Sequence, residues 1–122
     1  MFSSPRPLRG RTDENDYSPP VDVKDTGRGY ELIAELPGVR REDVTIEVEG
    51  DRLVLRGEKH LEQRIEGFDY LRVERRSGPF HRVYQLPKDA DSSSITATFE
   101  LGLLKVTIPR KVQVLGRAIP VR

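Results

Sequence analysis

The chain has 122 residues, enough for one domain with a core of its own. Its 21 basic and 20 acidic residues give a formal net charge of +1, which excludes a strong overall field that would attract nucleic acid or an anionic membrane. The absence of cysteine excludes disulfide bonds and thiol chemistry, and we expect a soluble protein in the reducing environment of the cytoplasm.

The first 17 residues are predicted to form a flexible N-terminal arm. They contain Pro5, Pro7 and charges of both signs, a composition that buries too little apolar surface to fold. No stretch of the chain approaches the roughly 18 consecutive apolar residues that a membrane-spanning helix requires. We therefore expect no membrane partner.

From Val21 onward, short runs of alternating apolar and polar residues predict β-strands. The clearest run places Val44, Ile46 and Val48 on one face, and "EGD" around Gly50 supplies the tight turn of a hairpin with "RLVLR". Further strands are predicted at 20–24 and in "YELIAELPG", "PFHRVYQLP", "SITATFE" and "LLKVTIP". Six or seven strands spaced by turns predict an all-β domain built as a β-sandwich.

Between Arg56 and Gly78 the alternation breaks down. Charged residues are mixed there with apolar ones, namely Leu61, Ile65, Phe68, Tyr70, Leu71 and Val73. One interpretation is a solvated loop with a few anchoring side chains, and the sequence alone slightly favours it. The other is a loop that carries a strand, "YLRVE", which pairs outside its own sheet, because loops of this length are usually either functional or disordered.

Residues suited to catalysis or cofactor binding are scarce. His60 and His81 are the only histidines, and their spacing matches no metal-binding motif. The segment "GRGYEL" lacks the third glycine of a nucleotide-binding fingerprint and precedes a strand. The basic residues after Glu100 come without aromatic residues that would stack on bases, so we interpret them as solubilising. We expect no enzyme activity, no cofactor, no bound metal and no nucleic-acid partner.

Four stretches, in order over about residues 18–122, carry a family resemblance: "YSPPVDVKDTGRGYELIAELPGVRREDVTIEVEGDRLVLRGE", "SGPFHRVYQLP", "ATFELGLLKVTIPR" and "IPV". They resemble the opening strands, the G-x-F-x-R-x-F-x-L-P stretch, the A-x-x-x-n-G-V-L-x-V signature and the C-terminal I-x-I/V motif of the small heat-shock proteins. The resemblance is to the bacterial and plant style of that family. Leu101 departs from it, because an Asn or Asp usually precedes the signature glycine, and this leaves the turn type open. The N-terminal arm also lacks the aromatic-rich segments of the family.

The resemblance implies an immunoglobulin-like β-sandwich, the α-crystallin domain, at 18–110. The flexible arm precedes it at 1–17, and a short C-terminal extension follows at 111–122. The implied function is that of an ATP-independent chaperone, or holdase, which binds partly unfolded client proteins under stress and prevents their aggregation. The implied assembly is a homodimer or a larger homo-oligomer. The alternative is a non-enzymatic β-sandwich that serves as a protein-interaction module or a co-chaperone domain.

The resemblance also implies two sites of subunit contact. The long loop would send a strand into the sheet of a partner, where "YLRVE" would pair with the strand near "PVDVK"; the residues of this swap are Phe68, Tyr70, Leu71 and Val73. Arg82 would be a structural arginine near the subunit contacts. Because Phe80 and Tyr84 share its face, we expect a partly buried and paired side chain, and the alternative is an outward charge.

The C-terminal pair Ile119 and Val121 is predicted to act as a plug. In an extended segment the two side chains point the same way, and Pro120 suits an edge position. By resemblance, the receiving groove lies at the sandwich edge of a neighbouring subunit, between "DVTIEV" and "ITATF". Its residues would be Val44, Ile46, Val48, Ile95, Ala97 and Phe99. The alternatives are an ordinary frayed tail and a tail that folds onto its own domain.

Overall fold

The computed structural model describes residues 17–60, 67, 69–112 and 120–121. They form seven β-strands: β1 (Val21–Asp25), β2 (Gly29–Glu35), β3 (Val44–Glu49), β4 (Arg52–Lys59), β5 (Gly78–Gln85), β6 (Thr96–Glu100) and β7 (Leu103–Pro109). Short 3-10 helices precede β3 (Arg41–Asp43) and β6 (Ser92–Ser94). Within these ranges there is no helix with the length and apolarity to cross a bilayer. The all-β prediction is confirmed, including the short strand that was predicted at 20–24.

Two antiparallel sheets make up the domain. One has the strand order β1-β2-β7-β6 and the other β3-β4-β5. Their facing side chains form one core, whose largest fully buried members are Leu32, Leu36, Leu53, Leu55, Val106, Ile108 and Pro19. Burial of each aliphatic side chain of this size contributes roughly 1.5–3 kcal/mol. The period-two pattern thus leads to the predicted β-sandwich, because every second residue of β2 and β7 enters this core.

Residues 17–20 close one side of the sandwich, between the edge strands β1 and β5. The Tyr17 ring packs edge-on against Phe80 with 5.7 Å between ring centroids. The Tyr17 backbone N–H donates to the Ser77 carbonyl at 2.9 Å, and its hydroxyl donates to the Glu35 carbonyl. Pro19 is fully buried. Tyr17, the last residue assigned to the arm, therefore packs against both sheets of the domain.

The turn between β6 and β7 contains an exposed leucine in a left-handed conformation. Leu101 has φ 53° and Gly102 has φ 74°, so both central residues have positive φ, as a type I′ turn requires. The turn, whose type the sequence left open, is thus of type I′, the type that an Asn or Asp at position 101 would favour. Leucine adopts this conformation at a cost of about 1–2 kcal/mol, because its Cβ approaches the following carbonyl.

A charged cluster around Arg110 fastens the end of β7. Its guanidinium donates to Asp25 at 2.7 Å, to Asp89 at 2.9 Å and to the Gly27 carbonyl at 2.9 Å. The Tyr30 hydroxyl also donates to Asp89, at 2.9 Å. Arg110 therefore links the turn after β1 to the β5–β6 connection, a structural role that its interpretation as a solubilising residue missed.

We predict that acid weakens this cluster. The Gly27 N–H and then Arg110 hold the pKa of Asp25 below its ordinary value, and Tyr30 and then Arg110 do the same for Asp89. A carboxyl group with a lowered folded-state pKa stabilises the fold above its unfolded-state pKa of about 4, and this stabilisation is lost as the pH falls through the folded-state pKa. The unfolding free energy, measured by urea titration, should therefore decrease below about pH 4.

The Arg110→Gln variant should show a shallower decrease of the unfolding free energy over the same pH range. Lys105→Gln is the matched control, since it removes one positive charge from an exposed position on β7 and should keep the slope of the parent. Identical slopes for Arg110→Gln and the parent would contradict the assigned role of the cluster.

Candidate functional site

An apolar groove lies on the side of the sandwich opposite to Tyr17, between the edge strands β3 and β6. Its volume is about 640 Å³. Four of the six predicted groove residues line it: Val44, Ile46, Ala97 and Phe99. Arg41, Thr98, Glu100 and Leu104 complete the lining.

The other two predicted residues lie elsewhere. Val48 is 40% exposed beside the β3–β4 turn, and Ile95 precedes β6 and packs against the core. Both follow the period-two pattern, but Val48 lies next to the β3–β4 turn, and Ile95 lies between the 3-10 helix and β6. Neither side chain is therefore among those that line the groove.

Main-chain groups of β6 also face this open side. A two-residue turn joins β6 to β7, so the flanking pair, Glu100 and Leu103, exchanges both of its hydrogen bonds. The alternation of an antiparallel ladder then turns the N–H and C=O groups of Phe99 and Ala97 away from β7. These two residues thus present both their side chains and their main-chain groups to the groove.

The edge of β3 follows the same rule. Glu49 and Arg52 flank a two-residue turn in which Gly50 has φ 62°. By the same alternation, the main-chain groups of Val48 and Ile46 point away from β4. The groove is thus bordered by two strand edges and lined by apolar side chains, an arrangement suited to an extended apolar peptide that adds as a strand.

Arg41 reaches across the groove from the 3-10 helix that precedes β3. One of its Nη atoms donates to the Phe99 carbonyl on β6 at 3.1 Å. Nothing in the local sequence pattern marks this arginine, because its acceptor lies 58 residues along the chain. It was absent from the predicted site.

The segment predicted to swap between subunits is exposed. Leu71 is 98% exposed, Tyr70 50% and Val73 45%, while Phe68 lies outside the described residues. In this single chain, residues 69–76 are not part of a strand. The sheet that would receive the swap ends at β1, which pairs with β2 on one side. The segment that the swap requires is thus exposed, and β1 is the end strand of its sheet.

Arg82 lies on β5 and is half-buried. One of its Nη atoms donates to the Pro19 carbonyl at 3.1 Å, and the guanidinium lies 5.4 Å from the centre of the Tyr84 ring. Burial raises the pKa of the Tyr84 phenol, and the charge of Arg82 opposes this rise. Arg82 therefore helps to hold residues 17–20 across the closed side of the sandwich.

The C-terminal extension is described at Lys111, Val112, Pro120 and Val121. Val121 is 97% exposed, so its side chain does not pack against the chain's own domain. Ile119, the other residue of the predicted plug, lies outside the described residues.

Residues 22–122 match the model of the Hsp20/alpha crystallin family. The chain belongs to this family. The resemblance to small heat-shock proteins is thereby confirmed, and with it the membership in a family whose members are generally chaperones.

Curated relatives include small heat-shock proteins from bacteria and plants. Small heat shock protein C2 of Rickettsia felis is 35% identical over 109 residues, which cover 89% of this chain and 71% of the relative. The 18.1 kDa class I heat shock protein of Pisum sativum is 37% identical over 113 residues, which cover 90% and 72%. The 17.9 kDa class II heat shock protein of Helianthus annuus is 38% identical over 92 residues, and the match spans only 58% of its length.

Solved structures agree with this assignment. A small heat-shock protein from Xylella fastidiosa superposes with a TM-score of 0.78 at 34% identity, over 88% of this chain and 98% of the other. Heat shock protein 16.0 from Schizosaccharomyces pombe gives a TM-score of 0.72 at 32% identity, over 88% and 100%. The fold is that of the α-crystallin domain.

Proposed function

We propose that this chain is an ATP-independent holdase, a chaperone that binds partly unfolded proteins under stress and prevents their aggregation. The observation that carries the proposal is the groove between β3 and β6. Its apolar lining and its two strand edges match what an unfolded segment offers, namely exposed apolar side chains and unpaired main-chain groups. Membership in the Hsp20/alpha crystallin family supports the same function.

The proposed activity requires no catalysis. A protein that binds unfolded clients lowers the concentration of the species that aggregates by mass action alone. No covalent bond is broken, so neither nucleotide hydrolysis nor a cofactor is needed. The proposal places this activity in the cytoplasm, which the lack of cysteine supports, and assigns no nucleic-acid or membrane partner.

Self-assembly would protect the exposed surfaces when clients are absent. In the proposed homodimer, residues 70–74 of one chain pair with the outer edge of β1 in the other. The 98% exposure of the Leu71 side chain in the single chain supports such a dimer, because pairing with a partner would bury it. The structure of the Xylella fastidiosa relative is described as revealing a distinct high order structure, and we extend higher-order assembly to this chain as part of the proposal.

The proposed occupant of the groove in a larger assembly is the plug of a neighbouring chain. Eight residues separate Arg110 from Ile119, and at about 3.3–3.6 Å each they reach up to about 30 Å. Burial of the Ile119 and Val121 side chains contributes roughly 1.5–3 kcal/mol each before the cost of ordering the tail. The exposure of Val121 in the single chain supports an occupant that comes from another copy.

We predict that the chain suppresses aggregation without ATP. Light scattering of a heat-sensitive client enzyme should decrease at equimolar chain and nearly vanish at severalfold excess, because the groove withdraws unfolded segments from solution. An unrelated globular protein at the same concentration is the control. Unchanged light scattering of the client at a severalfold excess of the chain would refute the holdase function.

We predict that loss of the swap segment produces monomers. If residues 68–73 are deleted and the ends are joined by Gly and Ser, the product should keep its β-sheet circular dichroism and sediment as a monomer. The control is Arg72→Ser with Glu74→Ser, which removes an exposed ion pair of 3.3 Å from the same segment and keeps its apolar residues; it should remain dimeric. A dimeric deletion product would rule out the swap.

We predict that the plug holds together assemblies larger than a dimer. Ile119→Ser with Val121→Ser should reduce such assemblies to dimers and increase the binding of an apolar dye, because the groove loses its occupant. The control, Val112→Ser, changes an exposed valine of the same extension and should leave the mass unchanged. If native mass and dye binding stay at parental values over a wide concentration range, the plug between subunits is refuted.

A further inference from the structure

We propose that Arg41 is a latch that the plug must displace to enter the groove. This inference rests on the proposed function, specifically on the docking of residues 119–121 from a neighbouring chain. It adds a residue that sets the strength of that docking. Arg41 donates a hydrogen bond of 3.1 Å to the Phe99 carbonyl.

The contact joins the two sides of the groove. Arg41 precedes β3 in one sheet, and Phe99 belongs to β6 in the other. Arg41 is exposed, and it lines the groove together with Phe99 and Glu100. The guanidinium therefore crosses the opening through which an extended segment would reach the groove.

The Phe99 carbonyl is an acceptor that a docked strand would use. The ladder between β6 and β7 turns the main-chain groups of Phe99 and Ala97 toward the open side, as derived above from the Glu100 and Leu103 pair. An extended segment that adds to this edge would donate its N–H groups to these carbonyls. In the single chain, Arg41 already donates to one of these two carbonyls, that of Phe99.

The plug has the donors to compete for this acceptor. In an extended segment, the N–H groups of alternate residues point to the same side, so those of Ile119 and Val121 can face β6 together. The N–H that Pro120 lacks would lie on the opposite side, so the proline removes no bond to this edge. Plug and latch thus compete for the same carbonyl oxygen.

Charge adds to the competition. The plug is flanked by Arg117 and Arg122, and no acidic residue follows Glu100. Docking brings these cations toward both Arg41 and Glu100, which line the groove, so repulsion by the Arg41 guanidinium offsets the attraction by the Glu100 carboxylate while the latch stays in place. A groove that must first be unlatched binds its plug more weakly and exchanges it more readily. This leaves the groove available to clients.

The experiment measures how tightly the plug binds when the latch is removed. The receiver is the full chain carrying Ile119→Ser and Val121→Ser, so that its own plug does not compete. The probe is a fluorescent peptide of residues 113–122, and its dissociation constant is measured by anisotropy. In the receiver, Arg41→Ala should tighten binding about three- to tenfold, the range expected for the loss of one competing hydrogen bond. Arg41→Met, which keeps the apolar stem, should act in the same direction.

The matched control is Arg40→Ala, which removes the same charge from the neighbouring exposed residue. It should change the dissociation constant less than twofold. Equal tightening by Arg40→Ala and Arg41→Ala would assign the effect to net charge and overturn the latch. Unchanged peptide binding by the Arg41→Ala and Arg41→Met receivers would also overturn the latch. Weaker binding would overturn it as well, because it would show that Arg41 contacts the docked plug.

A separate outcome tests the underlying proposal. If the peptide binds none of the receivers at millimolar concentration while urea unfolding shows that they are folded, the plug does not use this groove, and the proposed docking fails together with the latch. Peptide binding that is insensitive to Arg41 would leave the docking intact and overturn the latch alone. Protection of the Phe99 and Ala97 amides from hydrogen exchange on peptide binding would identify β6 as the paired edge.

Discussion

The strand at the rim of an open sheet carries N–H and C=O groups that its own sheet cannot pair. A sandwich of two open sheets has four such rims, and here they belong to β1, β6, β3 and β5. Most of what distinguishes this domain follows from how each pair of rims is covered. Residues 17–20 span the pair formed by β1 and β5, whereas the pair formed by β3 and β6 is crossed by the side chain of Arg41.

The two sides of the sandwich are therefore unequal for a physical reason. On the closed side, Pro19 is fully buried and the Tyr17 ring packs against Phe80, so residues 17–20 connect the two sheets within one chain. On the open side, the exposed Arg41 donates a hydrogen bond to the Phe99 carbonyl, and such a bond contributes little net stability because water competes for both groups. The largest fully buried side chains lie in the core and are not among those that line the groove. A surface that can be uncovered reversibly is what a holdase requires.

Much of the fold and half of the site follow from local sequence patterns. The alternation in β2, β3 and β7 predicts which side chains turn inward, and "EGD" predicts the β3–β4 hairpin, because both signals involve neighbours along the chain. The same alternation predicts that Val44 and Ile46 share one face of their strand and that Ala97 and Phe99 share one face of theirs, and the family resemblance implies that these two faces border one groove. The family resemblance supplies the order in which these strands assemble, which periodicity alone does not contain.

The residues that the sequence did not reveal act over long separations. Arg41 meets its acceptor 58 residues away, Arg110 meets Asp25 at a separation of 85, and Tyr17 packs on Phe80. Each is a polar or aromatic residue whose role depends on a partner that is distant in sequence. Neither hydrophobic periodicity nor a turn signal predicts such a contact. For Val48 and Ile95, periodicity predicts the face of the strand correctly, but neither residue is among those that line the groove. Val48 lies near the end of β3, and Ile95 lies before β6.

The Arg110 cluster has a geometric consequence for any assembly of this chain. The Lys111 N–H donates to the Asp89 carbonyl at 2.6 Å, and the Arg110 N–H donates to the Arg28 carbonyl at 3.1 Å, so the extension leaves the domain from a fixed point. Because the extension starts from a fixed point, its length limits how far the plug can reach. The eight residues before Ile119 allow the plug to reach up to about 30 Å from Arg110. The effective concentration of the plug is high at a neighbouring groove within that radius. The plug cannot reach a groove beyond that radius, so the length of the extension limits the distance between two subunits that it joins.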